Sequence, residues 1–479
     1  MKNIDEKSNL KPLRLLVAIA SYGVKNLEFL KRIIGNYKAL PMKVQIVVLS
    51  EAPKDLGGDV EVVVGLPSQN PWSLPFAHKP IFAHRLEQFD LFIYSEDDME
   101  VTEQNIEAFL RVTTALEPDE IAGYLRYETD PNGIKVLTDA HGGYRWKPDS
   151  VKRRRECTVA EYSNEHAAFY LLTQAQLRKA IASGGFLCEP YEGRHDMLCA
   201  AATDPYTRCG LRKVICISEL ESFLIRHMSN LYVNRHGLTL SDFEEQVATL
   251  MKIRDGDHPV STLCETETKM RRMAWSRSYY ERPSEDLLRI IPAGAKDILS
   301  IGCGWGLIEA GLKKRGARVT ALPLDSVIGA FAARHGIEVV YGSFEETWKK
   351  LNGKRFDCVI ATNLLHLQLD PDHFLRCCGL AVTPGGSLIL SGPNFDRLPT
   401  WLKRTFGSGD FRKLRSYEDS RINLCQPGRV RRRLEREGFQ VAAPVWMNHA
   451  LPSKRLSQVQ LPLGRITAND WIVQARRTV

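Results

Sequence analysis

The chain has 479 residues, with 65 basic against 57 acidic side chains, 44% hydrophobic and 25% charged residues. That length exceeds what one ordinary core organises and points to two or three domains; the balance is that of a soluble globular protein and excludes disordered, collagenous and coiled-coil chains. A formal charge of +8 is compatible with nucleotides, phospholipids or nucleic acid and selects none of them.

The densest basic runs, Lys152 to Arg155 and Arg429, Arg431, Arg432, Arg433 and Arg436, read as solvated faces. The 11 cysteines are scattered with no CxxC pair at zinc spacing, which suits a reduced, cytoplasmic protein with buried thiols. The first apolar run, Leu15 to Ala20, is too short for a signal peptide or a membrane span. It reads as a buried strand, so any membrane contact is peripheral, at the inner face.

In chain order, LRLLVAIAS is a buried strand followed by a helical stretch around Leu27 to Tyr37. KVQIVVLS, VEVVVG and FDLFIYSED are further strands, and a helix from about Glu103 to Leu116 follows. Strands spaced by helices imply a mostly parallel sheet covered on both faces. The pattern weakens from about Arg235, where a polar, partly helical stretch to about Tyr279 is broken by Asp255-Gly256-Asp257 and Pro259. It resumes with DILSIG, ARVTALPL, IEVVYG, FDCVIAT and GSLILSG, five buried strands. Two complete α/β units imply two domains, 11–235 and 276–479, with a connection over 236–275.

In the second unit, Gly302-Cys303-Gly304-Trp305-Gly306 ends the first strand and opens a helix. Glycines there let backbone approach a ligand, and the helix start offers free N–H groups. A dinucleotide fingerprint needs glycine at position 307, which is Leu307. Together with YGSFEE, FDCVIATNLLHLQLDP, the paired Gly385 and Gly386, and SYYERPSEDLLRIIP as an introductory helix, the segment resembles class I methyltransferases over some 200 residues. The resemblance implies a Rossmann-like fold and S-adenosylmethionine as cofactor, bound by Gly302, Cys303, Gly304, Gly306, Asp325, Ser343 and Asn363. Three positions depart from that family: Ser300 and Pro323 where acidic residues usually stand, and Ser343 where an aspartate often faces the adenine. Asp325 is the nearest replacement for the ribose-binding acid. His366, leaving the fourth strand, is a candidate general base for methylation of a hydroxyl, its ordinary pKa of about 6.5 suiting proton transfer.

In the first unit, Glu96, Asp97 and Asp98 end a strongly apolar strand. Carboxylates at that density repel one another unless a cation is present, and oxygen ligands suit Mg²⁺ or Mn²⁺ bridging a diphosphate. The segment resembles GT-A glycosyltransferases with an exostosin-like D-x-D pattern. The resemblance implies nucleotide-sugar binding by Ser21, Tyr22, Glu51, Glu96 and Asp97, metal binding by Asp98 and His227, and Asp196 near the acceptor as catalytic base or orienting group. Asp196 also reads as a helix cap.

Both units together imply a bifunctional enzyme of glycan biosynthesis, with a nucleotide-sugar donor and a glycan, glycolipid or other hydroxyl acceptor. The competing expectations are a small-molecule or nucleic-acid methyltransferase whose first unit only recruits substrate, and a binding protein with a decayed cofactor site. Nucleic acid is disfavoured because no base-flipping Asn-Pro-Pro-Tyr motif follows the fourth strand. The oligomeric state is left open.

Overall fold

The structure, a computed structural model, describes residues 12–281, 285–407, 409–447 and 464–478. The first eleven residues, including the start of the expected first domain, and Arg282 to Ser284 of the introductory helix lie outside the described residues. The chain divides into two compact units: residues up to Ala140 with Lys152–Leu240, and His141–Val151 with Ser241 onwards.

The first unit is built on a five-stranded sheet in the order Phe169–Thr173, Leu91–Glu96, Arg14–Ala20, Lys43–Ser50, Glu61–Val64. Four strands are parallel, and Phe169–Thr173 runs antiparallel to Leu91–Glu96. Leu15 to Ile19 are fully buried without alternation, as expected of a parallel strand covered on both faces. The helix Leu27–Lys38 contributes to that cover through Leu30, Ile33, Ile34 and Tyr37, one stripe at helical spacing. Two smaller sheets of short strands complete the unit. In one, Met99–Glu100, Leu224–His227 and Leu125–Thr129 lie side by side.

The second unit carries an eight-stranded mixed sheet. Its core order is Glu338–Val339, Arg318–Pro323, Asp297–Cys303, Phe356–Thr362, Val382–Pro393, Asp470–Arg477, Phe439–Val441. The first five are parallel and are the five strands expected from the sequence; Asp470–Arg477 is antiparallel to its neighbours. This is a Rossmann-like fold.

The connection expected over 236–275 is in part a helix, Leu240–Asp255, that buries Phe243, Val247, Leu250 and Ile253. Its charged residues diluted that stripe in the sequence. All 11 cysteines are free thiols, and no helix among the described residues is long and apolar enough to cross a membrane.

Ile389 is fully buried in the central strand Val382–Pro393. Ile389→Ala removes packed atoms where the sheet cannot collapse, and is expected to lower stability by about 2–5 kcal/mol in chemical denaturation of the purified chain.

Candidate functional site

Each main sheet has a point where the strand order reverses, and open α/β sheets bind ligands outside the carboxyl ends of the strands there. In the first unit that point lies between Arg14–Ala20 and Leu91–Glu96. Ser21 and Asp97 follow these strands directly. Asn26 donates to Asp97 at 2.8 Å, Gly23 N–H donates to Glu51 at 2.9 Å, and Lys54 Nζ donates to Ser21 Oγ at 2.9 Å. The structure therefore brings Ser21, Glu51 and Asp97 together, and adds Lys54 and Asn26, which sequence reasoning missed. Tyr22 lies at the rim, 55% exposed.

The pairing of His227 with Met99 sets the histidine beside Asp98, with Nε2 3.0 Å from Oδ2. Its Nδ1 lies 2.6 Å from Glu128 Oε1 on the adjoining strand Leu125–Thr129. The other Glu128 oxygen accepts from the N–H groups of Tyr232 and Val233. Asp98 and His227 form a pair, and no cluster of three or more candidate metal ligands occurs among the described residues.

Charge is packed tightly here. Burial, with Asp98 adding its charge, pushes the Glu96 carboxyl up to about 8. Burial also raises Asp97 against the hydrogen bonds from Asn26 and Ser21. At Asp98 burial is the largest single influence, but the hydrogen bonds from His227 and Ser229 and the charges of His227 and Arg126 together outweigh it, leaving the carboxyl below its ordinary value. His227 rises correspondingly to about 9, its burial overcome by Asp98 and Glu128.

Asp196 caps the helix Met197–Thr207, accepting from Cys199 N–H at 2.9 Å. Burial holds the Cys199 thiol well up, and the charges of Asp196 and Glu96 add to it, so both carboxylates flank this cysteine. Lys79 is paired with buried Asp204, and Arg85 is doubly bonded to Glu61.

In the second unit the order reverses between Asp297–Cys303 and Phe356–Thr362. Gly302 and Gly306 adopt left-handed backbone, φ +77° and +78°, which only glycine holds without strain. Gly304 has no room for a Cβ, which would stand 2.4 Å from the Tyr279 carbonyl oxygen. Asn363 closes the other side and donates to Glu281 at 3.1 Å. Gly302, Cys303, Gly304, Gly306 and Asn363 thus converge.

The other three do not join them. Asp325 is buried and its carboxylate accepts from Val327 and Ile328 N–H at 2.8 Å each, capping its own turn. Burial raises it to about 6 against those bonds and the charge of Arg145. Ser343 caps the helix Phe344–Leu351 in a reciprocal pair with Glu346. His366 is 2% exposed, with Nε2 2.8 Å from the Trp275 carbonyl, so that nitrogen carries the proton.

Sequence reasoning also missed Glu309, whose buried carboxylate accepts from Ser300 Oγ at 2.5 Å and so brings an acid to the position where Ser300 lacks one. It missed Arg277, 3% exposed, with Nη2 3.3 Å from the Gly302 carbonyl. No spacing signal marks either residue. Two cavities adjoin the glycine loop: one of about 20 Å³, roughly one water, against Gly302, Gly304 and Arg277, and one of about 490 Å³ lined by Trp305, Val327, Phe331 and Tyr341, the latter within the range of about 300–1,000 Å³ usual for small-molecule sites.

Residues 275–443 match a family model described as a methyltransferase domain. Among curated proteins, the chain is 36% identical over 112 residues to the ubiquinone biosynthesis O-methyltransferase of Xanthomonas axonopodis pv. citri, covering 22% of this chain and 46% of that protein. It is 29% identical over 154 residues to the ribosomal RNA small subunit methyltransferase C of Chromohalobacter salexigens, covering 28% and 45%. The chain spans about half the length of the curated relatives it matches. Of solved structures, an S-adenosylmethionine-dependent methyltransferase from Mesorhizobium loti is similar at 19% identity and TM-score 0.31, over 40% of this chain and 96% of that one. The N-methyltransferase NodS of Bradyrhizobium japonicum with S-adenosyl-L-homocysteine is similar at 15% identity and TM-score 0.28, over 40% and 84%. The C-terminal unit is a class I methyltransferase-type domain.

Burial lowers His366 from 6.5 to about 4, the Trp275 contact opposing it. The unfolded chain therefore takes up the extra proton as pH falls through that window; the stability associated with neutral His366 is complete above it and lost within it. Wild type is expected to lose up to about 3 kcal/mol more than His366→Gln between pH 6.5 and 4, read by denaturant unfolding at each pH.

Proposed function

We propose that the chain is a transferase with two sites, a methyltransferase unit using S-adenosylmethionine and a glycosyltransferase unit of GT-A type using a divalent cation and a nucleotide-sugar donor. The first part rests on the domain match over residues 275–443 and on the glycine loop at the switch point of its sheet. That an O-methyltransferase is among the relatives favours a hydroxyl acceptor.

The second part is carried by one observation: Asp98 and His227 meet at 3.0 Å, with Glu128 holding the far nitrogen of the imidazole. A metal-ligating histidine characteristically gives its other ring N–H to a carboxylate. Mg²⁺ and Mn²⁺ commonly take only one or two protein ligands, with water and phosphate oxygens completing the shell, so the pair fits such an ion. The ion would neutralise the leaving nucleoside diphosphate. Ser21, Glu51 and Asp97 offer polar groups to the nucleoside, and Lys54 brings a cation to the same strand ends. Asp196, flanking Cys199 with Glu96, is the candidate to hold the acceptor hydroxyl. Product class and place follow from the pairing of activities: an O-methylated glycan or glycolipid head group, made in the cytoplasm at the inner face of a membrane, where free thiols persist.

Thermal stability against UDP, GDP and CDP, each with and without Mn²⁺, tests the first unit. One metal–nucleotide pair at 100 times its dissociation constant is expected to stabilise it by about 2.7 kcal/mol, and Asp97→Asn with Asp98→Asn to abolish that shift. No shift with any pair reduces this unit to a recruiting module. Glu128→Gln is expected to weaken apparent Mn²⁺ affinity about 10–100-fold, measured by Mn²⁺ titration with the responding nucleotide.

A further inference from the structure

The groups a cofactor would use at the strand ends of the second unit are already engaged, and by the chain itself. Leu324 carbonyl, just beyond the second strand, accepts from Leu263 N–H at 2.9 Å. Phe344 N–H, just beyond the third, donates to Leu263 carbonyl at 2.9 Å. Trp305 N–H in the glycine loop donates to Tyr279 carbonyl at 2.8 Å, and Ser326 N–H donates to Ser261 carbonyl at 3.0 Å. Gly302 carbonyl receives the Arg277 guanidinium at 3.3 Å. The occupying segment is tied to itself, since Arg277 N–H donates to Thr266 carbonyl at 2.9 Å and the Thr266 and Tyr279 hydroxyls lie 3.3 Å apart. Leu263, Thr266, Arg277 and Tyr279 are each at most 3% exposed.

We propose that residues 261–279 are an intramolecular plug of the cofactor cleft, standing where a nucleoside ligand would lie, and that the plug leaves before S-adenosylmethionine enters. The proposal rests on the methyltransferase reading of this unit. The close backbone approach that glycine permits at position 304 is used here by the Tyr279 carbonyl, so the loop keeps its glycines while holding a different occupant.

A second observation makes the segment displaceable rather than ordinary core. Arg272, Met273 and Trp275 all hold left-handed backbone, at φ +53°, +50° and +65°. Such conformations are costly for bulky side chains and persist only where surroundings enforce them. Arg277 is almost fully buried and its Nη1 lies 2.5 Å from Glu281 Oε2, yet its Nε has no hydrogen-bond partner among the described residues, a further cost to the plugged state. Leaving the cleft relieves both, so plugged and open states lie closer in free energy than the burial alone implies. A ligand that binds only the open state has its affinity reduced by the open fraction and raises that fraction as it binds.

The test uses the full chain with S-adenosylhomocysteine as probe, by titration calorimetry and hydrogen exchange. Leu263→Asp places a charge in the cleft and Leu263→Pro removes the N–H given to Leu324; either drives the segment out. The expected result is affinity at least about tenfold tighter in these variants than in wild type. Exchange at the amides of Leu263, Arg277 and Tyr279 is expected to quicken when wild type is saturated. Equal affinity in wild type and variants, with exchange of the segment unchanged by ligand, overturns the plug and leaves the methyltransferase reading standing. Binding by none of them overturns the methyltransferase reading and the plug with it. The exchange measurement on wild type decides the matter should both variants fail to fold.

Discussion

A parallel sheet buried on both faces can meet a ligand only at the ends of its strands, and the crossovers leave one crevice, where the winding changes direction. Everything functional in this chain depends on that constraint, met once in each unit. In the first unit it sets Ser21 against Asp97, and in the second it sets the glycine loop against Asn363. Neither pair is near in sequence. Each is made adjacent by strand registers: Ala20 beside Glu96, Ile301 beside Ala361.

The two crevices resolve the same problem in opposite ways. At the first, three consecutive acidic residues stand at a strand end where burial disfavours their charge. The fold offsets part of this with neighbouring donors, Asn26 to Asp97 and His227 to Asp98, and Glu96 is left to titrate high. At the second, the polar main-chain groups are satisfied by a neighbouring stretch of the same chain. A buried N–H or carbonyl without a partner is costly, so an unliganded cleft either fills with water or borrows a partner, and this one borrows Leu263, Arg277 and Tyr279.

The departures from the methyltransferase pattern take on a physical sense in that light. Ser300 lacks the usual carboxylate, yet Glu309 reaches back from the first turn of the following helix to the same place. Asp325 keeps a carboxylate near the second strand, spent on its own turn, where an isolated bridge to Thr262 also holds it. The acids have moved rather than vanished, while the space between them is taken by main chain.

Much of the fold was legible in advance, because strands such as Leu15 to Ile19 and Ile298 to Ile301 are unbroken apolar runs between glycine or acidic stops, and burial demands such runs wherever both faces are covered. Helix Leu240–Asp255 was legible only as partial helicity in a polar stretch, since its apolar stripe is diluted by charge, and the two- and three-residue strands of the smaller sheets carry no period to detect. Of the sites, Gly302, Gly304, Gly306, Asp97 and Asp98 announced themselves through local chemistry: left-handed backbone, close approach and like-charge repulsion. Lys54, Asn26, Glu128, Glu309 and Arg277 did not, because each acts on a partner far along the chain or across a helix turn that no motif marks. The sequence by itself therefore determined two α/β units with mostly parallel main sheets and the kinds of group at their strand ends. Whether those groups face a ligand, a neighbouring side chain or the chain's own backbone was decided only by tertiary structure, since hydrogen bonds are satisfied by proximity in space and not by order along the chain.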